Sequence, residues 1–306
     1  MTSNADIAWI AADWGTTNLR IWALGADDCP IVHRSSEKGM GALTPDQFEA
    51  ALLELVEDCL TAGRTTPIIV CGMAGSRQGW SEAPYKTAPC PPPGIHDATT
   101  VATDDPRLDV RILPGIKQMS PADVMRGEET QIAGFLASRP NFEGLLCLPG
   151  THTKWAALES GVITRFRTSM TGEVYALLRK QSVLRHGLST EALDETAFTE
   201  AVLEMAQHPE RLTGELFGIR ASGLVDNLSP QAASGRLSGL LIGAELAAMA
   251  PIFDLRQTAI LGSDTIAKAY ATALTALEHK SDPLDADTLT LTGLTLAYKT
   301  HLKEKP

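Results

Sequence analysis

Asp13-Trp14-Gly15-Thr16-Thr17-Asn18-Leu19-Arg20 joins two short β-prone runs, Ile7 to Asp13 and Leu19 to Leu24, and its residue types suit phosphate chemistry. A glycine in such a turn lets backbone amides approach phosphate oxygens, threonine hydroxyls add donors, and the Asp13 carboxylate can hold a hydrated magnesium ion. A plain hairpin whose threonines serve β-propensity fits the same residues. The pattern then returns. Apolar Leu145 to Leu148 leads into Pro149-Gly150-Thr151-His152-Thr153-Lys154, followed by Trp155 and a second apolar run. Gly15 and Gly150 stand a domain length apart, so each turn is expected to open its own domain. Two such turns facing a shared cleft could hold a triphosphate from both sides. His152 has no readable carboxylate or serine partner nearby and is taken as part of the second turn.

The elements that position these turns read as mixed α and β. Ile31 to Ser35 can add a third strand. From Thr44 the spacing becomes helical, with Phe48, Leu52, Leu55, Val56 and Cys59 on one face and Thr44-Pro45 as cap and first-turn proline. Ile68 to Cys71 is a continuous apolar run, the mark of a strand buried on both faces. A proline-rich excursion from Ser81 to Arg107 includes Pro91-Pro92-Pro93, and strand resumes at Arg111 to Leu113. Ser120-Pro121-Ala122-Asp123 has the form of a capping box with proline at the first helical position, which predicts a helix from there to about Ser138. The second half is helix-rich from Glu173 to Met249, then gives a strand at Thr258 to Leu261, a Gly262-Ser263 turn, a helix from Asp264 and a last helix from about Asp285. Strands mixed with helices indicate an α/β protein.

Three acids fall on the predicted 120–138 helix. Asp123 is accounted for by the capping box. At roughly 100° per residue the stripe of Val124, Met125, Ile132, Phe135 and Leu136 centres close to Glu128 and leaves Glu129 on its flank. A carboxylate on a buried stripe is desolvated, and that makes it a better base. Glu128 paired with an arginine inside the fold is the other reading. Arg77, in Cys71-Gly72-Met73-Ala74-Gly75-Ser76-Arg77-Gln78-Gly79-Trp80, can fork onto a carboxylate or sit in a surface ion pair. Trp80 can stack on a sugar or fill core, and Arg165 and Arg167 can edge a cleft or end a solvated strand.

Composition bounds the rest. The chain has 306 residues, 44% hydrophobic and 21% charged, which is globular and long enough for two domains. A net charge of -11 repels a nucleic-acid backbone, while a local arginine patch still permits an anionic small substrate. Five cysteines with no CxxC pair suit a reducing cytoplasm. The N-terminus has no basic n-region and meets Asp6 and Asp13 early, unlike a signal peptide. The apolar stretch Leu237 to Phe253 carries Glu245 and is too short for a bilayer, so it reads as a buried helix and no membrane partner is expected. GxxxxGK[ST], a complete GxGxxG, HRD, DFG, HExxH and GxSxG are all absent, Gly39-Met40-Gly41 lacking the third glycine.

DWGTTNLR resembles the first phosphate motif of the actin, heat-shock ATPase and sugar kinase superfamily, above all the D-x-G-T-T-S-x-R of FGGY carbohydrate kinases. Leu148-Pro149-Gly150-Thr151 resembles the second phosphate motif. Leu261-Gly262-Ser263-Asp264 resembles the adenosine-motif turn, and Ser238 to Gly243 the packed helix before it. DWGTTNLR, CGMAGSRQGW, DVMRGEETQ and LPGTHTKWA, in that order, resemble the 2-dehydro-3-deoxygalactonokinase family.

The resemblance implies two ribonuclease H-like (actin-like ATPase) domains flanking a nucleotide cleft. It implies ATP and Mg2+, with the γ-phosphate passing to the 6-hydroxyl of a small anionic sugar acid, 2-dehydro-3-deoxy-D-galactonate. On this reading 1–120 form the first domain with the proline-rich loop at the substrate, 121–140 an interdomain helix, and 141–306 the nucleotide domain, in a cytoplasmic enzyme that can be a homo-oligomer. Asp13, Glu128 and Glu129 become the catalytic set, Gly127-Glu128 standing where FGGY kinases have the Gly-Asp of G-D-Q, with glutamate for aspartate. Gly15, Thr16, Thr17, Gly150, Thr151 and Thr153 take phosphates, and Gly262, Ser263 and Gly243 take adenosine. Arg20, Arg77, Gln78, Trp80, Arg165 and Arg167 take substrate. Kinases of another sugar, and a regulatory actin-like ATPase, share the turn motifs.

Overall fold

The computed structural model of the protein describes residues 7–190, 192–262 and 264–304. The chain divides into two units, one of Met1–Phe142 with Glu159–Arg165 and Ala286–Pro306, the other of Glu143–Leu158 with Phe166–Asp285.

In the first unit, β1 (Trp9–Trp14), β2 (Leu19–Leu24) and β3 (Pro30–Ser36) form an antiparallel meander. After α1 (Phe48–Val56), β4 (Thr66–Gly72) lies parallel to β1. The proline-rich segment contributes only the two-residue strands β5 (Lys86–Thr87) and β6 (Thr99–Thr100), and β7 (Leu108–Ile112) runs parallel to β4, giving the order β3-β2-β1-β4-β7-β6. Both faces of this sheet are covered, as the unbroken apolar run in β4 requires. Alternation along β1 sends Ile10, Ala12 and Trp14 to a core with Phe48 and Leu52 of α1, and Trp9 and Ala11 to the opposite core.

The helix predicted from Ser120 is not formed there. Instead β8 (Ile116–Met119) and β9 (Ala122–Met125) pair antiparallel, with Met119 opposite Ala122, so Ser120 and Pro121 are the two turn residues of a hairpin. The Ser-Pro-Ala-Asp string satisfies a turn as well as a cap, and here hairpin pairing decides. α2 (Glu128–Ser138) begins eight residues later, after Gly127 at φ 106°. Removing Val124 and Met125 from the helix moves its buried stripe, which now contains Glu129, Ile132 and Phe135.

The second unit repeats the opening theme. β10 (Gly144–Leu148), β11 (Thr153–Glu159) and β12 (Val162–Ser169), whose residues up to Arg165 count with the first unit, are followed by helices α3 (Thr171–Gln181), α4 (Glu195–Gln207), α5 (Leu212–Val225) and α6 (Pro230–Met249). β13 (Gln257–Gly262) then joins parallel to β10, α7 (Asp264–Ala276) follows, and β14 (Lys280–Asp285) extends the sheet to the order β12-β11-β10-β13-β14. The core beneath is built from Leu145, Cys147, Trp155 and Ile260 of the sheet with Phe198, Ile242, Leu246 and Tyr270 of the helices. Leu237 to Phe253 indeed lies largely in a buried helix, and no helix among the described residues is long and apolar enough to cross a membrane.

α8 (Ala286–Glu304) belongs with the first unit, whereas a boundary at residue 140 would leave it with the second. Leu294, Ala297 and Tyr298 enter the Trp9 and Ala11 core, and the Tyr298 ring stacks on Trp9 at 4.4 Å. α8 crosses α2 where two glycines meet backbone: a Cβ on Gly293 would lie 2.9 Å from the Thr130 side chain, and one on Gly134 would strike Leu289.

Candidate active site

In the first unit several of the candidate residues gather at the C-terminal ends of β1 and β4. Gly15 N–H donates to the Asn18 carbonyl at 2.9 Å, closing the β1–β2 turn and leaving Thr16 and Thr17 exposed. From behind, the N–H groups of Gly39, Met40 and Gly41 donate to the carbonyls of Thr17, Gly15 and Thr16 at 3.0, 3.0 and 2.9 Å. A Cβ on Gly39 would strike the Thr16 and Thr17 backbone. The glycine pair that fails as a dinucleotide motif therefore braces the first turn, a role its spacing alone does not announce.

Asp13 and Arg20 are register partners, and Arg20 donates to Asp13 Oδ2 at 2.5 Å and also to Asp287 at the start of α8. Arg20, expected on substrate, is thus held between two carboxylates. Asp13 Oδ1 lies 3.7 Å from Cys71 Sγ, its neighbour on β4. Gly72, at φ 89°, follows; a Cβ there would sit 2.5 Å from the Trp14 carbonyl and 3.4 Å from Asp13 Oδ1. Gly127 approaches in turn, its own Cβ position only 3.5 Å from Gly72 Cα. Two glycines in backbone conformations disfavoured for other residues thereby bring the N-terminus of α2 to the end of β4.

The sequence expectation for the two acids on α2 is reversed. Glu129 is the buried one, 1% exposed, while Glu128 is half-buried and reached by solvent. Both Glu129 carboxylate oxygens accept from Gly127 N–H at 2.9 and 2.8 Å, and Glu128 Oε2 accepts from Arg126 N–H at 2.9 Å. Burial, then the neighbouring Glu128 charge, pushes the Glu129 carboxyl up to about 8 against the opposing Gly127 N–H and Arg126 charge. Burial and then the Asp13 and Glu129 charges likewise push the Cys71 thiol up.

Of the remaining expected substrate residues, Arg77 has an 81% exposed side chain and a 3.8 Å contact to Glu82, and Gln78 is exposed. Trp80 packs on Phe48 and edge-on to Trp14, with ring centroids 6.2 and 5.9 Å away, so it serves the core. Arg165 is exposed and Arg167 half-buried on β12.

In the second unit Thr151 and His152 are the exposed residues of the turn, with Gly150 half-buried, and α3 braces it. Glu173 N–H donates to the Thr151 carbonyl at 2.9 Å, and Gly172 packs so closely on Gly150 that a side chain there would strike its carbonyl. His152 does have a carboxylate partner, Glu173, with Nε2 2.6 Å from Oε2; the pair is 21 residues apart in sequence and was not readable. Thr153, expected on phosphate, turns into the core instead, its hydroxyl 2.8 Å from that of Tyr270. Tyr270 donates to Glu245 at 2.9 Å, Trp155 Nε1 donates to the same carboxylate at 2.6 Å, and Thr171 donates to it as well. One buried acid thus ties β11, α3, α6 and α7 together under the turn.

A cavity of about 280 Å³, mostly apolar, opens between α6 and α7, lined by Ser238, Leu241 and Ile242 on one side and Thr265, Ile266 and Ala269 on the other. Gly243, expected on adenosine, faces α4: a Cβ there would lie 2.9 Å from Met205 Cβ and from Val202. Gly262 is likewise a packing glycine, its Cβ position 3.0 Å from Pro149, and Ser263 lies outside the described residues.

The family model for 2-keto-3-deoxy-galactonokinase matches residues 13–297, from the Asp13 turn into α8. The chain belongs to this family. As a member of the 2-keto-3-deoxy-galactonokinase family it is 37% identical, over 95% of its length and 96% of the relative's, to a protein named as a probable 2-dehydro-3-deoxygalactonokinase in Rhizobium meliloti (strain 1021). It is 39% identical, over 79% of its length and 80% of the relative's, to the 2-dehydro-3-deoxygalactonokinase of Escherichia coli (strain K12). A crystal structure of a 2-dehydro-3-deoxygalactonokinase-class protein from Sinorhizobium meliloti superposes with TM-score 0.86 at 34% identity, covering 96% of this chain and 99% of that one.

Proposed function

We propose that this member of the 2-keto-3-deoxy-galactonokinase family is an ATP-dependent sugar-acid kinase that phosphorylates the 6-hydroxyl of 2-dehydro-3-deoxy-D-galactonate. The observation that carries the reading is the convergence, in one unit, of an exposed Gly-Thr-Thr turn, the Asp13 carboxylate and the Glu128–Glu129 pair at the ends of β1 and β4. The named activity of its relatives at 37 and 39% identity supplies the substrate.

In this reading Gly15, Thr16 and Thr17 take phosphate oxygens, and Gly150 and Thr151, beside the N-terminus of α3, form a second anion-binding element. The apolar cavity between α6 and α7 takes the adenosine. Both units are proposed as ribonuclease H-like domains of the actin-like kind, each a three-stranded meander extended by parallel strands. Asp13 stands at the end of β1, just before the turn, and is paired with Arg20. A carboxylate beside phosphate-binding backbone suits a magnesium ion that keeps most of its waters. Such an ion supplies charge neutralisation on the phosphates, and Asp13 would hold it through water.

The two acids on α2 have environments that separate their roles. Glu129, buried and pushed up to about 8, retains a proton at neutral pH. Glu128, half-buried, accepts the proton of the substrate hydroxyl as that oxygen bonds to phosphorus and the bond to the leaving ADP oxygen breaks. Phosphoryl transfer otherwise asks for positioning and charge stabilisation.

A panel of 2-keto-3-deoxy sugar acids assayed with ATP and magnesium tests the reading. Turnover dependent on the galactonate-derived acid is expected; ATP hydrolysis indifferent to every sugar acid would overturn it in favour of a regulatory ATPase.

A further inference from the structure

Arg126, the residue between β9 and Gly127, is 9% exposed. A guanidinium stays charged under all ordinary conditions, so a buried one needs compensation. This one has little. Nη2 donates to the Ala83 carbonyl at 2.8 Å, and the Tyr85 ring covers one face at 4.3 Å. Nε and Nη1 have no partner, and no carboxylate among the described residues lies within ion-pair distance. Room for Nη1 exists only because residue 75 is glycine, where a Cβ would come within 2.7 Å of it, and Tyr85 is admitted by Gly115, whose Cβ would lie 2.8 Å from the ring. The surroundings thus hold, directly before the Gly127-Glu128 turn, a buried cation with two unpartnered donors, whose charge acts on Glu129 without a direct ion pair.

We propose that Arg126 is the anchor for the carboxylate of the sugar acid. The inference rests on the kinase reading above and deepens it. That substrate carries one anionic group the nucleotide does not, a planar carboxylate whose two oxygens match the in-plane donors of a guanidinium. Tyr85 stacks on the face and leaves the edge, where the unpartnered donors point. Both donors are shielded from solvent in this structure, so the carboxylate reaches them by a local rearrangement at that edge while Tyr85 keeps the face. Arg77, the sequence candidate for this task, is exposed and already beside Glu82.

The test compares wild type, R126M and R126K on the sugar acid and on its C1 carboxamide, which keeps shape and hydroxyls but loses the charge. R126M should lose roughly a hundredfold or more in kcat/KM for the acid. For the carboxamide it should change by no more than about threefold, with KM for ATP unchanged. R126K, keeping charge without the planar fork, should raise KM for the acid with kcat near normal. In thermal melts the acid alone should stabilise wild type and not R126M. Equal losses on acid and carboxamide, or an acid-induced melting shift that survives in R126M, would overturn the assignment while leaving the kinase reading intact. If R126M does not fold, the KM of R126K for acid against carboxamide decides by the same criterion. Absence of wild-type turnover on the acid would overturn the kinase reading, and with it this one.

Discussion

Glu129→Gln isolates the buried acid from the accessible one. The glutamine keeps an amide oxygen for the Gly127 N–H and cannot ionise. In wild type the native state holds its proton up to about pH 8, against an ordinary value of 4.5. The native state therefore binds more protons than the unfolded chain between those limits. Stability from this group is fully present below pH 4.5 and is lost progressively as pH rises to about 8, where the shift amounts to roughly 5 kcal/mol. The glutamine variant escapes that loss. Its melting temperature should gain on wild type as pH is raised from 5 to 9, by on the order of 5 to 10 °C in total. Glu128→Gln provides the internal control: removing the like charge lets Glu129 ionise at lower pH, so the wild-type fall in stability should move to the acid side. Differential scanning calorimetry of the three proteins at half-unit pH steps reads all of this. Parallel wild-type and Glu129→Gln curves across the range would show that Glu129 is not a desolvated carboxyl and would refute the division of roles on α2.

Three further outcomes follow from the same geometry. Glu128→Gln should lower kcat by roughly a hundredfold or more in steady-state assays with KM for ATP preserved, and a loss confined to Glu129→Gln would pass the base to that residue. Glu245→Ala strands the Trp155, Thr171 and Tyr270 donors, which should cost on the order of 3 kcal/mol or more by denaturant titration and raise KM for ATP as the brace under the second turn loosens. Gly243→Ala forces a methyl group against Val202 and Met205, so stability should fall by roughly 1 to 3 kcal/mol with ATP affinity unchanged; weakened nucleotide binding without destabilisation would restore Gly243 to the adenosine site.

Much of this architecture is legible in the residues because local pattern and tertiary outcome agree. The β1–β2 and β10–β11 hairpins, the doubly buried β4 and the buried α6 all follow from apolar periodicity bounded by turn residues. The start of α2 did not follow. Ser120 and Pro121 satisfy a helix cap and a tight turn equally in sequence, and the pairing of Met119 with Ala122 that decides between them is tertiary. That single difference moves the helical phase and exchanges the buried acid, Glu128 for Glu129. β14 does not announce itself because Lys-Ser-Asp-Pro-Leu-Asp shows no alternation and has Leu284 as its one aliphatic side chain, and it is a strand through pairing with β13. At the site, the backbone motifs announced the two turns, but side-chain destinations depended on contacts distant in sequence: Thr153 to Tyr270, His152 to Glu173, Arg20 to Asp287. Arg126 lies within the DVMRGEETQ motif, but nothing near it in the chain reveals that Gly75 and Gly115 make room for it and its ring partner.

The most direct test of the central claim is to find where the phosphate goes. With 2-dehydro-3-deoxy-D-galactonate, ATP and magnesium, phosphorus-coupled NMR of the product should place the new phosphate on C6, with one ADP formed per sugar acid consumed. A phosphate on any other carbon, or ADP released without a phosphorylated sugar acid, would contradict the account.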